Sequence, residues 1–195
     1  MANKVKFERE QVVYAASQLF WEKGFHATST RDLQDAINMR PGSLYAAFGS
    51  KEGLYCEAIK NYAKQMQSLI DERLVSCSSI LEALQDFVEY VVISSQSHTP
   101  SSICMLVKAN NEFVDKDSYL YQISVELMID FEHYLTELFA LAIANKELSG
   151  NISPVEYARF FQVQFTGLRS YFNRPNVEQL AKPMIENMFS LMKSL

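Results

Sequence analysis

Arg40, Gly42, Ser43, Tyr45 and Ala46 fall within seven consecutive positions of the chain. An arginine can fork to guanine, hydroxyls can bond phosphate oxygens, and a small apolar side chain can pack on a thymine methyl in the major groove. That set suits the edges of base pairs better than the making or breaking of bonds. A second cluster, Glu126, Asp130, His133 and Glu137, shares one helical face, with Asp130 and His133 at i, i+3 spacing. A di-iron bundle would need a second carboxylate–histidine pair, and the chain has only His26 and His98 besides. The face therefore reads as solvated and acidic, and no metal is expected. No nucleophile–base pair or phosphate loop is present, so neither an enzyme nor a cofactor is expected.

Two short helices must position the first set. Thr28 and Ser29 are hydroxyl caps, and Leu33, Ala36 and Ile37 follow as one narrow apolar stripe. Asn38 and Met39 supply the break, asparagine tolerating the left-handed conformation of a sharp turn. Pro41 restarts the chain at a first helical position, and Leu44, Ala47 and Phe48 give the second helix its inward stripe. Gly49 stops it and Ser50 caps the next helix. Residues 29–48 thus read as a helix-turn-helix, whose second helix presents its N-terminal residues to the groove. Before it, Glu8 to Lys23 forms a covering helix through Val12, Ala16 and Leu19, preceded by a short arm carrying Lys4 and Lys6.

The run from Phe20 through Gly24, Phe25, Thr28 and Ser29 to Pro41, Gly42, Ser43, Leu44, Tyr45, Phe48, Lys51 and Leu54 resembles the DNA-binding domain of TetR-family transcriptional regulators. The likeness covers roughly the first third of the chain, over about 35 positions. It implies DNA contacts from Thr28, Ser29, Thr30, Arg40, Pro41, Gly42, Ser43, Tyr45, Ala46 and Lys51. It also implies a homodimer on a palindromic operator, most simply as a repressor released by a small apolar or aromatic effector. This chain departs from the pattern in two places. Asn38 stands where the family usually has glycine, and Ala46 and Ala47 stand where it usually has a second aromatic or histidine.

Composition agrees with a globular chain: 195 residues, 48% hydrophobic and 21% charged. The net charge of −5 is unevenly spread. Residues 1–51 hold seven cations against five acids, a net +2, which leaves −7 for the remainder. Phosphate affinity follows local cations, so a modest, salt-sensitive affinity per subunit is expected. Cys56, Cys77 and Cys104 are odd in number and lack CxxC spacing, which fits a reducing cytoplasm. Neither a signal peptide nor a membrane span is expected.

The expected fold is all-α, with about nine helices. Residues 6–66 form the DNA-binding domain, and 67–195 form a helical ligand-binding and dimerisation domain. A long helix from Lys51 to about Val75 belongs to both. Helices then follow over Ile80 to about Ser97, Ile103 to Glu112, Asp117 to Asn145 and Pro154 to Phe172, and a last one starts or kinks near Pro183. Phe161, Phe165, Leu168 and Phe172 make one row of their helix, and Phe160, Gln164, Gly167 and Tyr171 a second. Two apolar rows need two partners, so the second row, with Met184, Met188 and Leu191, is expected at a dimer interface. Phe87, Tyr90, Val91, Met105, Phe113, Met128, Phe131 and Phe165 are candidates to line an effector pocket. Cys104, beside that pocket, offers an alternative as a thiol sensor. A helical dimeric assembly module without an operator is the other alternative.

Overall fold

Serine caps, glycine corners and alternating apolar stripes divide the chain into helices throughout. The computed structural model describes residues 2–95 and 98–195, excepting the side chains of residues 2–8 and 41. Among the described residues there are nine α-helices, no strand, and no helix long and apolar enough to cross a membrane. They are α1 (Ala2–Lys23), α2 (Thr30–Ile37), α3 (Pro41–Phe48), α4 (Lys51–Ser76), α5 (Ile80–Glu89), α6 (Met105–Glu112), α7 (Tyr119–Ala144), α8 (Pro154–Tyr171) and α9 (Ala181–Ser194). The expected N-terminal arm is helical from Ala2. The side chains of Lys4 and Lys6 lie outside the described residues.

The chain separates into two units, Met1–Gln65 with Met105–Leu127, and Met66–Cys104 with Met128–Leu195. The first unit thus groups α6 and the first turns of α7 with the N-terminal helices. The first unit is centred on aromatic residues. Tyr55 of α4 meets the edges of Phe20 and Phe25 at 4.9 and 5.1 Å between ring centroids, and Phe113 closes the group at 5.6 Å from Phe25. Leu33 and Leu44, one from each short helix, are fully buried.

In the second unit, Phe161 is the hub. It stacks on Phe165 at 5.9 Å, tilts against Phe139 at 6.0 Å and meets the edge of Phe189 at 6.2 Å. All four residues of its row, Phe161, Phe165, Leu168 and Phe172, are buried. The start of α5 is capped twice. Ser79 Oγ accepts from the Glu82 amide at 3.1 Å, and the Glu147 carboxylate accepts from the amides of Ile80 and Leu81 at 3.2 and 2.9 Å. α5 does not continue to Ser97 as an α-helix. It passes at Tyr90–Ser94 into a π-helical turn, an inserted residue that the apolar pattern of Val91 and Val92 cannot reveal. α9 begins at Ala181, so Pro183 sits in the first turn, where its missing amide hydrogen costs little.

Phe161→Ala removes a fully buried ring. It should destabilise the protein by about 3–5 kcal/mol, read as a lower urea midpoint with an unchanged m-value.

Candidate nucleic-acid interface

The interface is built from the two short helices and the corner before them. Gly24 ends α1 with φ +86°, and Thr28, fully buried, donates its hydroxyl back to the Gly24 carbonyl at 2.6 Å. Thr28 therefore closes the corner and is not available to DNA, which corrects its place among the expected contacts. Ser29 caps α2 through a reciprocal box. Its hydroxyl accepts from the Asp32 amide at 3.1 Å, while the Asp32 carboxylate accepts from the Ser29 amide at 2.8 Å. Lys23 also donates to Asp32, at 2.8 Å. Hydrogen bonds from Lys23 and then from Ser29 hold the Asp32 carboxyl well below the usual carboxylate range, and the same contact raises Lys23.

Asn38 takes the left-handed conformation, φ 52°, and ends α2. Arg40, extended at φ −72° and ψ 150°, accepts the first amides of α3 on its carbonyl, from Ser43 at 3.0 Å and Leu44 at 3.1 Å. Its side chain is exposed and caps nothing. Pro41 occupies the first position of α3, with its side chain outside the described residues. Leu44 and Phe48 face inward, whereas Gly42, Ser43, Tyr45, Ala46 and Ala47 are exposed. Tyr45, 42% exposed, places its hydroxyl 3.4 Å from Thr30 Oγ1. The first turn of α2 and the outer face of α3 thus form one continuous polar and small-residue surface. Such a surface can enter a groove and bond phosphates on its flank.

Arg9 of α1 fixes the far end of α3, a role the sequence reading missed. Its guanidinium donates to the Ala47 carbonyl at 3.0 Å, lies 4.3 Å from the Phe48 ring centroid, and pairs with Glu57 of α4. The ammonium of Lys51 lies 4.3 Å from the Phe25 ring centroid. A phosphate would have to draw Lys51 off that ring, so this structure does not present it as a ready contact. Ser50 caps α4 through the Gly53 amide at 3.1 Å.

Residues 12–58 match the family described as bacterial regulatory proteins, tetR family. The chain is 27% identical over 120 residues, 62% of each protein, to the uncharacterized HTH-type transcriptional regulator YezE of Bacillus subtilis (strain 168). It is 46% identical over 57 residues, 29% of each, to the HTH-type transcriptional repressor BdcR of Escherichia coli (strain K12). The chain therefore spans less than two thirds of the length of these curated relatives. It also superimposes with a TM-score of 0.78 on a cysteine mutant of the TetR family transcriptional regulator CifR, solved with 26-bp double-strand operator DNA. That match has 25% identity and covers 93% of this chain and 95% of the other.

Residues 12–58 belong to the TetR family.

The other expected site residues are divided by the fold. Met105 and Phe113 belong to the first unit, Met105 within reach of Ser17 Oγ at 3.9 Å and Phe113 in the aromatic group. Phe87, Tyr90, Val91, Met128, Phe131 and Phe165 belong to the second, where Phe87 packs on Phe165 at 5.2 Å. The eight therefore fall on both units. Cys104, a partly buried free thiol, immediately precedes α6. On α8, Gln164 and Gly167 are exposed and Phe160 and Tyr171 half-buried, with Val163 beside them 69% exposed. On α9, Leu191 is 57% exposed and Met184 half-buried. Met188 is buried in the core of its own unit, which removes it from the expected outward row.

A carboxylate held below its ordinary 3.8 contributes stability above that pH and loses the contribution as the pH falls through the lower folded value. Asp32→Asn should therefore melt below the parent at neutral pH, with the gap narrowing as the pH drops under 3.8. A gap independent of pH would rule out a role for the charge.

Proposed function

We propose that the chain is a homodimeric, sequence-specific DNA-binding regulator of the cytoplasm, acting as a repressor on a palindromic operator. The observation that carries this reading is the state of α3. One face is locked by Leu44, Phe48 and Arg9, while the opposite face, with Gly42, Ser43, Tyr45 and Ala46, is left exposed. The CifR mutant of the same family was solved on operator DNA, which supports assigning that face to DNA here. Thr30, Arg40, Ser43, Tyr45 and Ala46 make the contacts, and Ser29 orients the first turn of α2 beside the phosphates.

Each subunit reads half an operator. The dimer forms through α8 and α9, with Phe160, Gln164, Gly167, Tyr171, Met184 and Leu191 toward the partner. A small apolar or aromatic effector enters the second unit among Phe87, Tyr90, Val91, Met128, Phe131 and Phe165. It favours a dimer whose recognition helices no longer sit about 34–36 Å apart, and the operator is released. Coupling of this kind needs no cofactor.

Selection from random duplex DNA should return a palindrome. Arg40→Ala and Tyr45→Ala should each weaken it, and affinity should fall roughly 10³-fold or more between 50 and 200 mM salt for six or more phosphate contacts per dimer. A folded dimer that recovers nothing above background sinks the operator reading. The dimer surface has its own test. A Cβ added at Gly167 would meet nothing within 4 Å in the chain. Gly167→Leu should therefore keep its helical circular dichroism but sediment as a monomer at concentrations where the parent is a dimer.

A further inference from the structure

The body of α3, PGSLYAAF, contains no Asn, Gln, Asp, Glu, Lys or Arg. Bidentate readout of adenine and carboxylate acceptance from cytosine are thus unavailable to it, and a fork to guanine can come only from Arg40 at its N-cap. Helical phase arranges what remains. At about 100° per residue, Ala46 points almost directly away from the buried Leu44 and Phe48. Gly42 lies one turn earlier on the same strip, with Tyr45 on one flank and Ser43 and Ala47 on the other. The centre of the exposed face therefore holds the two smallest residues available.

Gly42 has no explanation inside the fold. It is not among the glycines with positive φ, and a Cβ built on it would meet nothing within 4 Å. An exposed helical glycine is less stable than alanine, so its use is clearance for something outside the chain. We propose that the Gly42–Ala46 strip reads thymine through the C5-methyl group, Gly42 admitting the groove edge and Ala46 Cβ packing on the methyl. This rests on the operator reading above. It adds that base discrimination by α3 is apolar and steric, so that each half-site has a thymine under Ala46 and a guanine within reach of Arg40.

The test uses the full-length dimer and the selected operator, with each thymine replaced in turn by deoxyuridine, and affinity read by fluorescence anisotropy. One thymine per half-site should be sensitive, its replacement weakening the parent about four-fold, or about fifteen-fold when both half-sites are changed. Ala46→Gly should bind the thymine and deoxyuridine operators equally. Gly42→Ala should melt at a higher temperature yet bind more weakly. Parent binding that is indifferent to every deoxyuridine overturns the methyl readout while leaving the operator reading intact. A methyl effect that survives in Ala46→Gly also overturns it. Gly42→Ala that gains stability without losing affinity overturns the clearance role. Failure to recover any operator removes the reading on which the inference rests.

Discussion

The carboxylate of Glu112 accepts the backbone amides of Phe25 and His26, at 2.9 and 2.6 Å, and so holds the corner between α1 and α2. One turn earlier on α6, Lys108 donates to the carbonyls of Trp21 and Glu22 at 2.6 and 3.0 Å. These carbonyls belong to the last turn of α1, the end of a helix that carries partial negative charge. Each charged side chain thus meets backbone groups of opposite partial charge. Gly24 sits under the same carboxylate: its φ is +86°, and a Cβ there would stand 2.9 Å from a Glu112 oxygen. The corner sets where α2 begins, and the turn at Asn38 then sets α3. A surface presented by α3 therefore depends on two side chains of a helix far along the chain.

Helices of eight residues are not stable alone, so their direction must come from packing. Leu33 and Leu44 bury the inner faces of α2 and α3, which fixes depth but leaves rotation weakly determined. Arg9 supplies the rest by touching α3 at a carbonyl and a ring while pairing with Glu57 of α4. Lys51 stays on the Phe25 ring in the same unit. Lys51, expected at DNA, and Arg9, counted in the local charge, are thus both engaged by the scaffold, and the net +2 of this region overstates what α3 can offer electrostatically. Apolar readout is a natural complement to that shortage.

The short helices were legible because their signals are local: hydroxyl caps, an asparagine break, a proline start and a glycine stop. A similar serine–acid box opens α8 at Ser153, and a serine cap opens α5 at Ser79. Thr28 was misread because a hydroxyl before a helix suits both a cap and a phosphate, and only its burial separates the two. Nothing in the sequence pointed Lys108 and Glu112 at this corner, because they lie more than 80 residues from the backbone groups they bond. Apolar lists carry a similar ambiguity. Phe113 and Phe87 have the same chemistry, and nothing in composition assigns one to each unit. On α9 the broad stripe blurred phase, so Met188 was placed outward although a 3.6-residue repeat carries it inward with Ile185 and Met192.

Glycines separate the needs of the chain from the needs of its partners. Gly24 and Gly53 answer to the chain itself: the first stands beneath Glu112, and a Cβ on the second would lie 2.1 Å from the Phe48 carbonyl, blocking the tight passage from α3 to α4. Gly42 and Gly167 have open space around them and no positive φ. Each lies on a helix that would gain from alanine, and each is exposed. One is on the outer face of α3 and the other on the outward row of α8. A helix that keeps a glycine it does not need internally is shaped for close approach from outside. The two positions coincide with the two surfaces that an operator-binding dimer must offer, one to DNA and one to its twin.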